Sequence, residues 1–363
     1  MKPLETAMLE IPVRLDYEGL LRNLRREGTP SRVFSMELFL DDEIQQELAL
    51  RFGTSSQDPN DPYYQQKTMI SLYRYLGYEL IRVGLDGMKF PRQNTIQSQD
   101  SAILAHKGGR GWVDSTKGPI ATWEDFENYP WPDPAQFDTR LIEWYSANLP
   151  DDMCLGGGCH NVFEQAMWLM GYEPLCYALH DQPDLVYAIF DRVGSIYLAA
   201  AKVYAQFERV KVLFDGDDMG FRSGTLIPPW ILKEKTLPWH KRMVEVCHSN
   251  DMLYLLHSCG NLEKIMPVLI DDVNIDAKHS FEDAIEGVMT AKRRWGDRIA
   301  LIGGIDVDFL AQTTPEEVRH RVRETLEVCL PGGGYCLGTG NSVTNYIPLQ
   351  NYLVMLDEGR RYA

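Results

Sequence analysis

The sequence predicts an α/β fold in which eight parallel strands and their helices form a (β/α)8 TIM barrel. Eight short apolar runs of the kind found in buried parallel strands recur along the chain, and longer segments with helical periodicity separate them. Polar residues close most of these runs. Alternating strands and helices build a parallel sheet, and eight such units are the number that closes a barrel. An open, doubly wound sheet is the second possibility.

The predicted strands cover the chain from residue 32 to residue 340. They are 32–40, 78–86, 153–158, 210–218, 253–260, 273–280, 299–306 and 332–340. The helices predicted between them include 41–53, 183–206, 228–249, 283–295 and 315–330. The last helix has the clearest start, because "TTPEEV" combines an N-cap threonine, a first-turn proline and two glutamates.

Two segments stand outside this alternation. An amphipathic helix is predicted near Asp16 to Arg26, before the first strand. Residues 94–134, after the second strand, contain turn residues and isolated aromatics without a clear period, so we expect a long insertion over one mouth of the barrel. Its aromatic side chains either form a lid or docking face or simply hold the loop to the barrel; they are Trp112, Trp123, Tyr129 and Trp131. Without a repeat or linker, residues 1–363 are expected to form one domain.

Composition narrows the class of protein. Its 363 residues are 44% hydrophobic, which is ample for a core, and 52 acidic residues against 36 basic ones give a net charge of −16. This charge disfavours binding to nucleic acid and to anionic membrane surfaces. The sequence predicts neither a membrane-spanning helix nor a signal peptide, because it has no long apolar run and no basic N-terminal region followed by one. The seven scattered cysteines predict reduced thiols and not a disulfide framework. We therefore expect a cytoplasmic protein.

The candidate functional residues are those that close the predicted strands. In a barrel, the carboxyl ends of all strands face one common cavity, so groups that are distant in sequence should converge there. Of these residues, Glu37 closes the first strand, and others follow the fourth, fifth and seventh strands. They are Asp215, Asp217, Asp218, His257, Cys259, Asp306 and Asp308, with Cys336 inside the last strand.

A metal site is the sharpest prediction from this set. His257, Cys259 and Cys336 supply one imidazole and two thiolates, a mixture that suits zinc. Three protein ligands leave a fourth position for water or substrate, which is typical of catalytic zinc. The spacing of His257 and Cys259 alone is a weak signal, because buried structural histidines and cysteines are common.

The residues around these ligands resemble a known family. "LLHSCGN", followed by "GGGYCLGTGNSVTNYIPLQNY" with its cysteine 77 positions after Cys259, resembles the zinc signature of corrinoid-dependent methyltransferases in the uroporphyrinogen decarboxylase superfamily, typified by methylcobalamin:coenzyme M methyltransferases. The order of predicted elements is similar over about residues 15–360. The resemblance implies a zinc-dependent methyltransferase with His257, Cys259 and Cys336 as its ligands.

The resemblance also implies a mechanism and a partner. Zinc would bind a substrate thiol, lower its pKa and hold it in line with the methyl group of a corrinoid, or act in the opposite direction as a Lewis acid on the heteroatom of a methyl donor. The chain carries no D-x-H-x-x-G motif for binding cobalamin. The corrinoid (cobalamin) is therefore expected on a partner protein, and the other reactant is a small-molecule methyl donor or acceptor.

One departure argues against uroporphyrinogen decarboxylase activity itself. Those enzymes carry a motif like "MRQAGRY" at the end of the first strand, where this chain reads "SMELFLDDE" (35–43). Acidic residues there would repel a polycarboxylate substrate. A decarboxylase acting on another acid is the first alternative, and its cations would come from Arg82, Lys89, Arg92 and Arg222. A non-catalytic zinc or corrinoid binder is the second.

Three of the acidic residues at the strand ends have a catalytic and a structural interpretation. Glu37 is either a fourth zinc ligand or proton acceptor, or a polar strand end that caps the next helix. Asp217 and Asp218 either accept a hydrogen bond from metal-bound His257 or cap the next helix.

Two glycine-rich turns supply the predicted binding residues. In "GGGCHN", His160 and Asn161 are expected to face the substrate cavity. A second metal site at Cys159 and His160 is the weaker alternative. A phosphate-binding loop is not indicated, because the run lacks the lysine of that motif. In "GTGNS", Asn341 and Ser342 are expected to bind a substrate carboxylate or the corrinoid tail at a helix start. An ordinary strand-to-helix turn would look the same.

Overall fold

The computed structural model describes residues 8–91, 95–98, 100, 102, 104, 110–114, 116–158 and 162–362. Two predicted binding residues, His160 and Asn161, lie outside the described residues, as do parts of the segment 94–134 that is predicted as an insertion.

The described residues form eleven strands, and seven of these make the main sheet. Along the chain they are β1 (Leu80–Arg82), β2 (Thr95–Ser98), β3 (Arg110–Val113), β4 (Cys154–Gly157), β5 (Val210–Gly216), β6 (Gly220–Phe221), β7 (Gly224–Thr225), β8 (Leu253–His257), β9 (Ala277–His279), β10 (Ala300–Ile302) and β11 (Tyr335–Cys336). The main sheet has the order β1-β4-β5-β8-β9-β10-β11, with every pair parallel. The pairs β2–β3 and β6–β7 are antiparallel.

The first predicted strand, 32–40, joins the sheet without forming a regular strand. Its residues Ser35 and Leu40 make isolated parallel bridges to Leu337 and Val343, just after β11. The N–H of Met36 donates to the Leu337 carbonyl at 2.9 Å. Seven of the eight predicted runs are therefore strands, and the first is a bridged segment beside the last. This curled parallel α/β sheet is consistent with a TIM barrel.

Helices connect the strands and cover the sheet. The α-helical segments of the described residues are Tyr17–Leu24, Asp42–Arg51, Tyr64–Leu76, Trp123–Asn128, Arg140–Asn148, Val162–Met170, Tyr172–Asp181, Pro183–Tyr204, Pro229–Ile231, Leu237–His248, Met266–Val268, Val288–Trp295, Val307–Gln312, Pro315–Cys329 and Leu349–Arg361. A 3-10 turn lies at Pro134–Gln136, and π-helical turns lie at Leu232–Thr236 and Leu269–Val273. Among the described residues, no helix has the length and apolar character needed to cross a bilayer.

The start predicted at "TTPEEV" is confirmed. Thr314 is the N-cap of the helix Pro315–Cys329, and its hydroxyl accepts the N–H of Glu317 while the Glu317 side chain accepts the N–H of Thr314. This reciprocal capping box satisfies two backbone donors that the first helical turn would leave without partners.

An apolar cluster fills the inside of the curled sheet near the amino ends of the strands. The first helix, Tyr17–Leu24, contributes Leu20, Leu21 and Leu24. They pack with inward-facing strand residues that include Leu80, Cys154, Val212, Leu253, Ala277, Ala300 and Cys336. The carboxyl ends of the strands, on the other side of this cluster, carry the polar groups.

Candidate metal centre

Three potential metal ligands meet at the carboxyl ends of two neighbouring strands. His257 is the last residue of β8, Cys259 follows two residues later, and Asp218 follows the end of β5. The register of these parallel strands pairs Gly216 with His257, which places the two strand ends side by side. One ligand atom from each of Asp218, His257 and Cys259 lies within 4.8 Å of the others. An oxygen, a nitrogen and a sulfur therefore surround one small volume.

The contacts within this group are polar and close. Nε2 of His257 is 3.4 Å from Oδ1 of Asp218 and 3.4 Å from Sγ of Cys259. The N–H of Cys259 donates to the same Asp218 oxygen at 2.8 Å. Burial by itself would raise the pKa of Asp218, but the hydrogen bonds and charge of His257 and Cys259 outweigh it and lower that pKa. Asp218 is thus held as a carboxylate.

The sulfur of Cys259 is surrounded by hydrogen-bond donors. The side-chain amide of Asn341 donates to it at 3.4 Å and the hydroxyl of Ser280 at 3.5 Å. Burial, with the charge of Asp218, raises the pKa of the Cys259 thiol to about 12. A metal cation in this volume would reverse that effect, because a coordinating thiol is deprotonated. The donor set of carboxylate, imidazole and thiolate fits zinc.

Asn341 therefore lies at the site, and it does so through its side chain. The adjacent Ser342 is buried, and its N–H donates to Oδ1 of Asn341 at 2.9 Å. This bond fixes the amide so that its NH2 group faces Cys259. The predicted role of both residues, a backbone site for a carboxylate or corrinoid tail, remains untested.

The predicted third cysteine is not brought to this group. Cys336 belongs to the apolar cluster inside the sheet, and its thiol is 3.5 Å from the side-chain nitrogen of Asn23 in the first helix. Burial raises the pKa of this thiol well above its usual range. The group that the structure assembles thus differs from the predicted set: Asp218 stands with His257 and Cys259, and Cys336 does not.

The two predicted aspartates have different surroundings. Asp217 is fully buried and accepts the N–H groups of Phe163 and Glu164 at 3.2 and 2.7 Å, at the start of the helix Val162–Met170. Its Oδ2 also lies 2.8 Å from Nε2 of His240. Asp217 therefore anchors a helix start, although of an earlier helix than the one expected, while Asp218 reaches His257.

Glu37 lies apart from the three potential ligands. Its carboxyl group contacts Thr339, which follows β11: the Thr339 N–H lies 3.0 Å from Oε1 and the hydroxyl 2.6 Å from Oε2. Burial raises the pKa of Glu37 to about 8, although the Thr339 hydrogen bonds oppose this. Glu37 neither joins the metal group nor caps the next helix, whose N-cap is Asp41.

A second histidine at the site was missed from the sequence. His279 ends β9, beside β8, and its Nδ1 lies 2.7 Å from Nδ1 of His257. Its Nε2 lies 3.3 Å from the carbonyl oxygen of Thr339. His279 is fully buried, and burial together with the neighbouring His257 and Lys278 holds its pKa well below the usual range. The sequence pattern that led to His257 also marks His279, because "AKHS" ends a predicted strand with a histidine just as "LLHS" does.

Comparison with known proteins places this chain in a family. The sequence model of the family described as Uroporphyrinogen decarboxylase (URO-D) matches residues 107–362. Comparison with curated proteins gave no match.

A solved structure of a methyltransferase shares the fold. A methyltransferase from Methanosarcina mazei is similar with a TM-score of 0.68 and 16% identity, covering 95% of this chain and 98% of that one. A protein described as a vitamin-B12 independent methionine synthase from Listeria monocytogenes has a TM-score of 0.47 and 12% identity, covering 90% and 95%. The family match spans more than half of the chain, and Asp218, His257 and Cys259 lie within the matched residues. The chain therefore belongs to the uroporphyrinogen decarboxylase (URO-D) family.

Proposed function

We propose that this protein is a zinc-dependent methyltransferase that moves a methyl group between a small substrate and a corrinoid carried by a partner protein. The observation that carries the proposal is the approach of Asp218, His257 and Cys259 to within 4.8 Å at the carboxyl ends of β5 and β8. Active sites of barrel enzymes lie at this end of the strands. The fold shared with a methyltransferase and the resemblance noted in the sequence support the same reaction class.

In this proposal, His257 and Cys259 hold the metal with Asp218 as the third ligand in place of Cys336. Bound zinc would supply an open position for a substrate heteroatom and would increase the acidity of a thiol there. Asn341 and Ser280 would stabilise the Cys259 thiolate by donating to its sulfur. Asp218 would also hold the loop that carries Cys259, because it accepts the N–H of that residue.

Decarboxylation, the reaction after which the family is named, has weaker support in the described residues. A carboxylate substrate would need a cation, and Arg82, the last residue of β1, is one of the candidates predicted from the sequence. Its guanidinium instead donates to the carbonyl oxygens of Leu38 and Phe214, at 2.8 and 2.9 Å, and lies over the Phe214 ring. Arg82 is therefore engaged in linking strand ends.

We also propose that the enzyme acts in the cytoplasm. The six described cysteines are free thiols, and two of them, Cys154 and Cys336, are buried in the apolar cluster inside the sheet. Thiols persist where the cell keeps them reduced. The partner would be a corrinoid protein, with a small methyl donor or acceptor as the second reactant.

Metal content tests the ligand set. The protein would be purified without added metal, and zinc per chain measured by mass spectrometry for the wild type and for Cys259→Ala, Asp218→Ala and Cys336→Ala. We expect one zinc in the wild type and in Cys336→Ala, and loss of zinc in the other two. Zinc lost from Cys336→Ala but kept by Asp218→Ala would restore the ligand set predicted from the sequence.

Methyl transfer tests the reaction. Free methylcobalamin would be mixed with a panel of small thiols and the zinc-loaded protein, and loss of its methyl group followed by absorption. Transfer by the wild type and by Cys336→Ala, but not by Cys259→Ala, is the expected result. Carbon dioxide release from a panel of carboxylic acids, without any corrinoid, would favour the decarboxylase instead.

A further inference from the structure

The histidine pair at the site raises a question about proton positions. Nδ1 of His257 and Nδ1 of His279 are 2.7 Å apart, so one of them must donate a proton to the other. Coordinates place the two nitrogens and do not place the proton. The surroundings of His279 decide which nitrogen carries it.

The far side of His279 faces a group that can only accept. Its Nε2 lies 3.3 Å from the carbonyl oxygen of Thr339, and a carbonyl has no proton to give. Nε2 of His279 must therefore carry a proton. The ring is fully buried, and Phe214 packs against it edge to face. No carboxylate contact is described for His279, so a charged imidazolium there would be an uncompensated buried cation, which is costly.

A neutral ring with a proton on Nε2 has a bare Nδ1. That atom accepts, and Nδ1 of His257 must donate to it. When His257 is neutral, its lone pair is then on Nε2, the atom that lies 3.4 Å from both Asp218 and Cys259. Any second proton on His257 is on Nε2, beside the Asp218 carboxylate, and leaves when a metal binds there. The opposite arrangement would put a proton on Nε2 of His257 and block it as a ligand.

We propose that His279 is a positioning residue that holds His257 in the tautomer whose Nε2 is free to bind a metal. The carbonyl of Thr339 sets the proton on His279, and His279 sets the proton on His257. Metal-binding histidines commonly give their second N–H to a carboxylate or a backbone carbonyl, and here a neutral histidine takes that place. The inference rests on the proposed metal site, and its first test needs no metal.

The first test reads the tautomers directly. Metal-free protein labelled with 15N at histidine would be examined by long-range 1H–15N correlation NMR, with signals assigned by comparison with His257→Asn and His279→Gln. We expect His257 to carry its proton on Nδ1 and His279 on Nε2. A His257 ring without a proton on Nδ1 would overturn the proposal, whether or not the protein binds zinc.

The second test uses a matched pair of substitutions. Glutamine at 279 offers an amide oxygen toward His257 and an NH2 group toward Thr339, whereas leucine has similar size and neither group. We expect His279→Gln to keep the zinc dissociation constant within about threefold and His279→Leu to raise it by about 10- to 100-fold. Chelator competition measures both constants, and thermal unfolding checks that both variants are folded.

The outcomes separate the two proposals. Equal zinc affinity in wild type and His279→Leu, or equal loss in both variants, would overturn the positioning role while the metal site stands. A wild type that binds no zinc would overturn the metal site, and the NMR result would still decide the tautomer.

Discussion

The hydroxyl of Thr339 lies between two oxygens: Oε2 of Glu37 at 2.6 Å and the carbonyl oxygen of Asn341 at 2.8 Å. A hydroxyl has one proton to donate, and neither a carboxylate nor a carbonyl can donate back. Both contacts are hydrogen bonds only when Glu37 is a neutral carboxylic acid that donates to Thr339. The raised pKa of Glu37, about 8 because of burial, agrees with this.

Glu37→Gln should therefore preserve the fold and zinc binding. The folded protein keeps a proton on Glu37 that the unfolded chain releases above about pH 4.5, so wild-type stability should fall as pH rises from about 4.5 to about 8. The slope is at most about 1.4 kcal/mol per pH unit. The nearby Tyr73, Tyr78, Tyr335 and Tyr352 have pKa values raised by burial and stay neutral over this range.

Urea unfolding of wild type and Glu37→Gln at pH 5, 6, 7 and 8 measures this effect. The difference between the two proteins should change steadily with pH in favour of the variant. A constant difference would mean that Glu37 is ionised throughout. Loss of zinc binding in Glu37→Gln would instead return Glu37 to the ligand role considered from the sequence.

The neighbouring aspartates should separate stability from metal binding. Asp217→Ala removes the acceptor for two N–H groups and for His240 in a buried place, and should cost about 3 kcal/mol of unfolding free energy. Asp218→Ala acts at a partly exposed site and should cost less than about 1 kcal/mol, yet weaken zinc binding at least tenfold. Urea unfolding and chelator competition on both variants measure the two effects. The reverse pattern would place Asp217 at the metal.

Asn341 should strengthen zinc binding by donating a hydrogen bond to the Cys259 sulfur. Asn341→Ala removes an amide that donates to Cys259, and a hydrogen bond to a charged group is worth about 1.5 kcal/mol, so zinc affinity should fall by about tenfold. Ser280→Ala is the matched comparison, because its hydroxyl donates to the same sulfur over 3.5 Å and should matter less. Competition with a chromogenic chelator gives both constants, and unchanged affinity in Asn341→Ala would count against a thiolate at Cys259.

The capping box gives a prediction remote from the site. Thr314→Ala removes the side chain that accepts the N–H of Glu317 and should lower the unfolding free energy by about 1 kcal/mol. Zinc affinity should not change. Thermal unfolding of the wild type and the variant checks this, and an unchanged melting temperature would show that this helix end contributes nothing to global stability.

Strand positions were predictable because buried parallel strands are continuous apolar runs. Seven of the eight predicted runs are strands, and the rule that polar residues gather at their carboxyl ends led to His257, Cys259 and Asp218. The first run forms bridges instead of a regular strand. Its "SMELFLDD" has the apolar content of a strand, and the pattern cannot show how few of its backbone groups pair.

The surroundings of individual side chains were less predictable. Cys336 was chosen by its spacing from Cys259 in a family signature, but in the two-residue strand β11 its thiol turns into the apolar interior beside Asn23. By alternation from Leu253 and Leu255, His257 also faces the inside of the sheet, so Cys336 and His257 differ in depth and not in the side that they face. Spacing along the chain cannot show that depth. Asp217 and Asp218 show the same limit, because only the fold reveals which one faces the helix start and which one faces His257.

The first helix, Tyr17–Leu24, closes the amino end of the sheet interior with three leucines. Among the described residues, the approach to Asp218, His257 and Cys259 is therefore from the opposite end, where the strands finish. In the proposed transfer between two reactants, both would enter the site from this end. The two reactants would bind in a fixed order. The reactant that binds first would lie deeper in the site, and its product would be released last. A large excess of the second reactant would then slow turnover, because it would block release of that product.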